Sequence, residues 1–143
     1  MSSARTAQAG TTILVYSDDA AVRQRIQTAV GRRPAPDVGP VRYVEAADHD
    51  SVVLAVDAGG VDLMIFDGEA WPTGGMGLAR ELKDEIAGCP PVAVVVGRKA
   101  DAWLAMWSRS DAVLYHPLDP VTTGRTIAEL LRSLASEPTA RAR

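Results

Sequence analysis

The sequence predicts an α/β domain whose parallel sheet is covered by helices on both faces. Two patterns carry that expectation. Strand-sized apolar runs alternate with helix-periodic segments along nearly the whole chain, joined by short connections. The runs TILVY (12–16), LMIF (63–66) and VAVVV (92–96) are continuous rather than alternating, as in strands buried on both faces. Short strand–helix–strand units require right-handed crossovers and therefore parallel neighbours.

Taken in order, Thr12 to Tyr16 forms the first strand, and Asp18 or Asp19 caps the helix that follows. Val22, Ile26, Ala29 and Val30 make that helix's buried stripe, and Gly31 with the Pro/Gly-rich stretch to Pro40 ends it. Val41 to Ala46 carries polar Arg42 and Glu45, which marks an edge strand. Asp50 to Ala58 is a short helix stopped by Gly59-Gly60, and Asp62 to Phe66 is the central strand. A glycine-rich loop from Asp67 to Gly75 precedes a helix with Leu78, Leu82 and Ile86 on one face. Val92 to Val96 is the fourth strand, Lys99 to Arg109 a helix, and Ala112 to Tyr115 the fifth strand. Pro120 to Ala135 closes the series, with Ile127, Leu130, Leu131 and Leu134 as its stripe. One domain over residues 12–135 is expected, with flexible tails at 1–11 and 136–143.

Composition narrows the function classes. The chain has 143 residues, 47% hydrophobic and 23% charged, enough for one domain with a real core. A net charge of −3 gives no reason to expect nucleic acid as a partner. A single cysteine, Cys89, excludes an intramolecular disulfide framework and a cysteine-rich zinc site, and its ordinary role is packing. No apolar run approaches membrane-span length, and the opening MSSARTAQAGTT lacks a signal-peptide core, so a cytoplasmic protein is expected.

In such a sheet the site lies beyond the carboxyl ends of the strands. Ser17 to Asp19, Asp67 to Glu69, Gly97-Arg98 and His116-Pro117 are therefore expected to converge on one crevice. Asp67, at the end of a buried strand, with Asp18 at the end of an earlier one, suggests a phosphoryl acceptor or a metal site.

The segments ILVYSDD (13–19), LMIFDGE (63–69), PPVAVVVGR (90–98) and Asp111 to Pro117, ending in YHP, stand in order within a five-fold βα repeat. Together they resemble the receiver domain of bacterial response regulators, over about residues 12 to 135. The resemblance implies a flavodoxin-like doubly wound sheet of strand order 2-1-3-4-5. It implies that Asp67 matches the aspartate phosphorylated by a histidine kinase, and that Asp18 with Asp67 matches part of a Mg²⁺ site. Four positions depart from the pattern. Ser17 stands for the first of two acidic residues, and Val96 for the Ser or Thr that bonds the phosphoryl oxygen. Val113 stands for the aromatic reporter of the fifth strand, and His116 for the Lys before the Pro. The loop Gly68 to Gly77 also carries about two extra residues by this alignment.

The departures have physical consequences. A carboxylate reacts with an anionic phosphoryl group only when a metal and cations neutralise the developing charge. Asp18 and Asp67 still supply the one or two carboxylates that Mg²⁺ commonly uses. A neutral imidazole at His116 would donate a hydrogen bond but no full charge; it could instead pair with Asp67 in a pH-sensitive site, or simply be a polar residue at the crevice rim. Val96 forfeits a phosphoryl hydrogen bond of about 0.5–1.5 kcal/mol, more if charge-assisted.

Three tryptophans complete the inventory. Trp103 and Trp107, with Met106 between them, share a helix face and either cover the sheet or form a partner surface with Trp71. In the resembled family the fourth helix, fifth strand and fifth helix form such a surface, which also implies a possible homodimer. Thr73 to Gly77 would cradle an anion only weakly, since it lacks a P-loop ending. A flavin is disfavoured because Ser17-Asp18-Asp19 would repel its phosphate. The expected function is a stand-alone, atypical receiver working through protein contact, without a DNA-binding domain and without enzymatic activity of its own. The alternative is a conventional phosphoacceptor on Asp67.

Overall fold

The computed structural model describes residues 10–98 and 101–136. Five parallel strands form one sheet in the order β2-β1-β3-β4-β5. They are β1 (Thr11–Tyr16), β2 (Val41–Ala46), β3 (Leu63–Asp67), β4 (Val92–Val96) and β5 (Ala112–Tyr115). The described helices are α1 (Ala20–Val30), α2 (His49–Ala58), α3 (Gly75–Glu85), α4 (Ala102–Trp107) and α5 (Pro120–Ala135).

Strand alternation sorts the core into two layers. Ile13, Val15, Leu63, Ile65, Ala93, Val95 and Leu114 face α1 and α5, meeting Ile26, Ile127 and Leu131. Leu14, Tyr16, Met64, Phe66, Val92, Val94 and Val96 face the other way, onto Val52 of α2 and Leu78 and Leu82 of α3. Every residue of β3 and β4 is buried. This is why those runs are continuously apolar, while edge strand β2 alternates with exposed Arg42, Val44 and Glu45.

Side-chain caps fix the helix starts. Asp19 accepts from Ala21 N–H at 2.9 Å, Asp48 from Ser51 N–H at 2.8 Å, and Asp119 from Thr122 N–H at 2.8 Å. The Asp48 cap starts α2 at His49, one residue before the expected Asp50. Other boundaries also move. Thr11, expected in the tail, belongs to β1, where its N–H donates to Pro40 at 2.9 Å. The rest of the expected tails, residues 1–9 and 137–143, lies outside the described residues, as do Lys99 and Ala100 of the expected fourth helix. That helix stops at Trp107, before the expected Arg109. Arg109 takes φ +64°, and the hydroxyls of Ser108 and Ser110 bond the Ala105 carbonyl.

An imidazole ties α2 to α3. His49 Nε2 lies 2.7 Å from Glu81 Oε2, and Nδ1 lies 3.2 Å from Asp50 Oδ1. The Glu81 contact, followed by Asp50, raises the His49 pKa above its ordinary value. Stability from this pair is therefore complete below the unfolded imidazole's value of about 6.5, and is lost as pH rises through the higher folded value. Urea midpoints at about pH 6 and about pH 8 should show this loss in the native chain and a smaller one in His49→Gln. Equal differences in the two proteins would remove His49 from the account.

Candidate functional site

Register places the first contact. β1 and β3 run in parallel with Tyr16 opposite Phe66, so the next residues, Ser17 and Asp67, stand side by side on the same face. Ser17 is fully buried and Asp67 is 5% exposed. The Ser17 hydroxyl donates to Asp67 Oδ2 at 2.8 Å and accepts from Asp19 N–H at 3.1 Å. An amide can only donate and a carboxylate only accept, so this relay has one direction. Asp67 Oδ1 accepts from Glu69 N–H at 2.9 Å. Both carboxylate oxygens are thereby satisfied within the chain. Arg23, held by Glu45 at 2.8 Å, donates to the Ser17 carbonyl at 2.7 Å and fixes the same turn.

Opposite face, opposite role: Tyr16 packs edge-on to Phe66 with ring centroids 5.7 Å apart. Its hydroxyl donates to the Thr73 carbonyl at 2.5 Å. Burial first, and then Asp18, Asp67 and Asp48, raise the phenol's pKa and keep the hydroxyl a donor. Asp18 is exposed, and its Oδ1 accepts from Trp71 N–H at 3.0 Å. The β3–α3 loop also leaves and returns tightly. Gly68 N–H donates to Val95 at 2.8 Å, and a side chain at Gly75 would stand 2.5 Å from the Asp67 carbonyl. Only glycine admits that approach.

The remaining strand ends complete the crevice. Val96 is buried, and Val113 packs partly buried against the same cluster, so both belong to the hydrophobic core. Glu69 lies across Gly97, where an added Cβ would meet its Oε2 at 2.4 Å. His116 does not pair with Asp67, whose oxygens accept from Ser17 and Glu69. Among the described residues its ring makes no hydrogen bond, and it lines a cavity of about 680 Å³ with Gln24, Arg25 and Thr28 of α1 and with Leu118.

The family resemblance implies Mg²⁺ here, and Asp18 and Asp67 are the carboxylates that would hold it, each with an oxygen already hydrogen-bonded within the chain. Asp67 Oδ2 is engaged by a hydroxyl and Asp18 Oδ1 by a backbone amide. Among the described residues no three His, Cys, Asp or Glu side chains come together in a metal-binding group.

The tryptophans do not cover the sheet. Trp103, Met106 and Trp107 are 66, 79 and 50% exposed, while Ala105 of the same short helix is turned fully inward. Arg80 stacks its guanidinium 4.8 Å from the Trp107 ring and bonds the Trp107 carbonyl at 2.7 Å. Trp71 is 75% exposed, apart from this group, on the β3–α3 loop. Cys89 is half-buried, and burial pushes its thiol pKa up, away from reactivity.

Sequence reasoning placed Glu69 in the crevice with the other strand-end residues and did not single out Tyr16 or Arg23 as parts of the site. Their positions beside Ser17 and Asp67 were the available signal; the hydrogen bonds depend on rotamers that sequence does not reveal.

No family model matches the chain. A response regulatory protein of Mycobacterium tuberculosis (strain H37Rv) is 53% identical over 123 residues, spanning 86% of this chain and 92% of that protein. The corresponding protein of strain CDC 1551 / Oshkosh gives the same values: 53% over 123 residues, 86% and 92%. Among solved structures, the receiver domain of a Francisella response regulator superposes with TM-score 0.71 at 17% identity, covering 87% of this chain and 98% of that one. The receiver domain of AraT from Geobacillus stearothermophilus gives TM-score 0.71 at 20% identity, covering 90% and 98%. A CheY-like receiver domain of Methanospirillum hungatei gives TM-score 0.71 at 17%, covering 90% and 98%. At these identities the structural likenesses bear on the fold.

Proposed function

The chain belongs to the response regulators of two-component signalling, and from that premise we propose an atypical receiver that acts by protein contact independently of phosphorylation. One observation carries the reading: Val96 and Val113, in the places of the switch hydroxyl and the aromatic reporter, pack with the same buried hydrophobic cluster. No hydroxyl at Val96 is available to follow a phosphoryl group, and no ring at Val113 is available to move. The Ser17–Asp67 bond supports the same reading, since it satisfies the carboxylate without a cation.

Contact is assigned to the outer face of α4. Trp103, Met106 and Trp107 form an exposed apolar face one turn long, and buried aromatic anchors dominate many interfaces. The partner belongs to the class that receivers engage, such as a histidine kinase or another protein of the pathway. Among the described residues no helix is long and apolar enough to cross a membrane. A partner captured from the native source by the tagged chain should bind Asp67→Asn as well as the native protein. Trp103→Ala with Trp107→Ala should weaken that complex at least roughly 30-fold, the scale of a hot spot. Binding lost in Asp67→Asn and retained in the double variant would reverse both assignments.

The conventional phosphoacceptor remains a second reading because Asp67 keeps its place at the end of β3.

A further inference from the structure

The strand end that would hold a cation in the resembled family holds a loop in this protein. Successive residues at the end of β1 divide the work by strand alternation. Ser17 turns toward Asp67, whereas Tyr16 and Asp18 reach the β3–α3 loop. Asp18 takes the Trp71 amide at 3.0 Å, and Tyr16 takes the Thr73 carbonyl. Between β3 and these anchors, Ala70 is buried in the core and its N–H returns to the Asp67 carbonyl at 3.2 Å. The loop is thus pinned at three positions within four residues, and Trp71 is left pointing to solvent.

We infer that Asp18 is a positioning residue that straps the β3–α3 loop and holds Trp71 outward, and is not a metal ligand. Asp18 Oδ1 holds the Trp71 amide, so a cation beside Asp67 would have to share this carboxylate with the loop. A cation and the strapped loop therefore compete for one side chain. The Asp18 and Tyr16 contacts hold the loop whether or not a partner docks on α4. They also set the loop position from the rigid end of a buried strand, independent of any ion in solution.

The test is amide hydrogen exchange by NMR on the full chain, read at Trp71 and Thr73, with core amides of β3 as the control for folding. Asp18→Ala should speed exchange of the Trp71 amide by roughly tenfold or more, as loss of a hydrogen bond to a charged acceptor predicts. Asp18→Asn retains a side-chain oxygen and should restore much of the protection. Tyr16→Phe, which removes only the hydroxyl, should loosen the same segment from its other anchor. Millimolar Mg²⁺ should leave Trp71 exchange in the native chain unchanged. Unchanged Trp71 exchange in Asp18→Ala, with β3 still protected, would overturn the inference. So would a Mg²⁺-dependent release of the loop that Asp18→Asn abolishes.

Discussion

Ser17→Asp is expected to lower the unfolding free energy by about 2–4 kcal/mol in metal-free buffer, and Mg²⁺ is expected to recover much of it. The native hydroxyl sits 2.8 Å from Asp67 Oδ2 and neutralises nothing; it simply donates. A carboxylate there would face another across a buried contact, since Ser17 is fully buried and Asp67 nearly so. At about 4 Å and an effective dielectric of about 20, two like charges repel by about 4 kcal/mol, and side-chain rotation or proton uptake limits the loss. The substitution would also replace the hydroxyl that accepts from the Asp19 amide just before α1. A divalent cation bound at about a hundred times its dissociation constant returns about 2.7 kcal/mol. The native chain should gain far less. Urea unfolding with EDTA or Mg²⁺ gives four midpoints that decide the matter. A variant as stable as the native chain in EDTA would show that the Ser17–Asp67 contact does not define this site.

The sheet was legible because burial on two faces leaves a plain signature. LMIF and VAVVV have no polar residue to expose, and both became central strands with every residue buried. Edge strand β2 was equally clear, since Arg42 and Glu45 need solvent. Boundaries were less clear where one side-chain cap or one backbone angle decides them. Asp48 outcompeted Asp50 as the start of α2, and the left-handed turn at Arg109 has no glycine to announce it.

For the site, strand ends named the neighbourhood and could not name the bonds. That Ser17 and Asp67 share a crevice follows from adjacent parallel strands; that they bond directly depends on register, which one residue of slip would abolish. The Asp18–Trp71 bond spans 53 residues, and the loop path that creates it is set by the close approach at Gly75. An imidazole paired with Asp67 was open on composition alone. It is absent from the structure, where Asp67 accepts from Ser17 and the Glu69 amide and His116 instead lines the cavity beside α1. Trp103 and Trp107 show the same limit from the other side. Their i, i+4 spacing fixed a shared face, and only the fold decided that this face points outward.

Asp67 itself is expected to resist phosphorylation. Removing one preorganised donor from a site that stabilises developing anionic charge commonly costs about 10²–10³ in rate. Here the positions of two such groups carry Val96 and His116, and Asp67 lies under the Ser17 hydroxyl. The most direct measurement is intact mass after incubation with acetyl phosphate and Mg²⁺, with beryllofluoride binding followed in parallel. The native chain should keep its unmodified mass and bind no beryllofluoride. A phosphoryl adduct on the native chain that is absent from Asp67→Asn would contradict the account and restore Asp67 as a working phosphoacceptor.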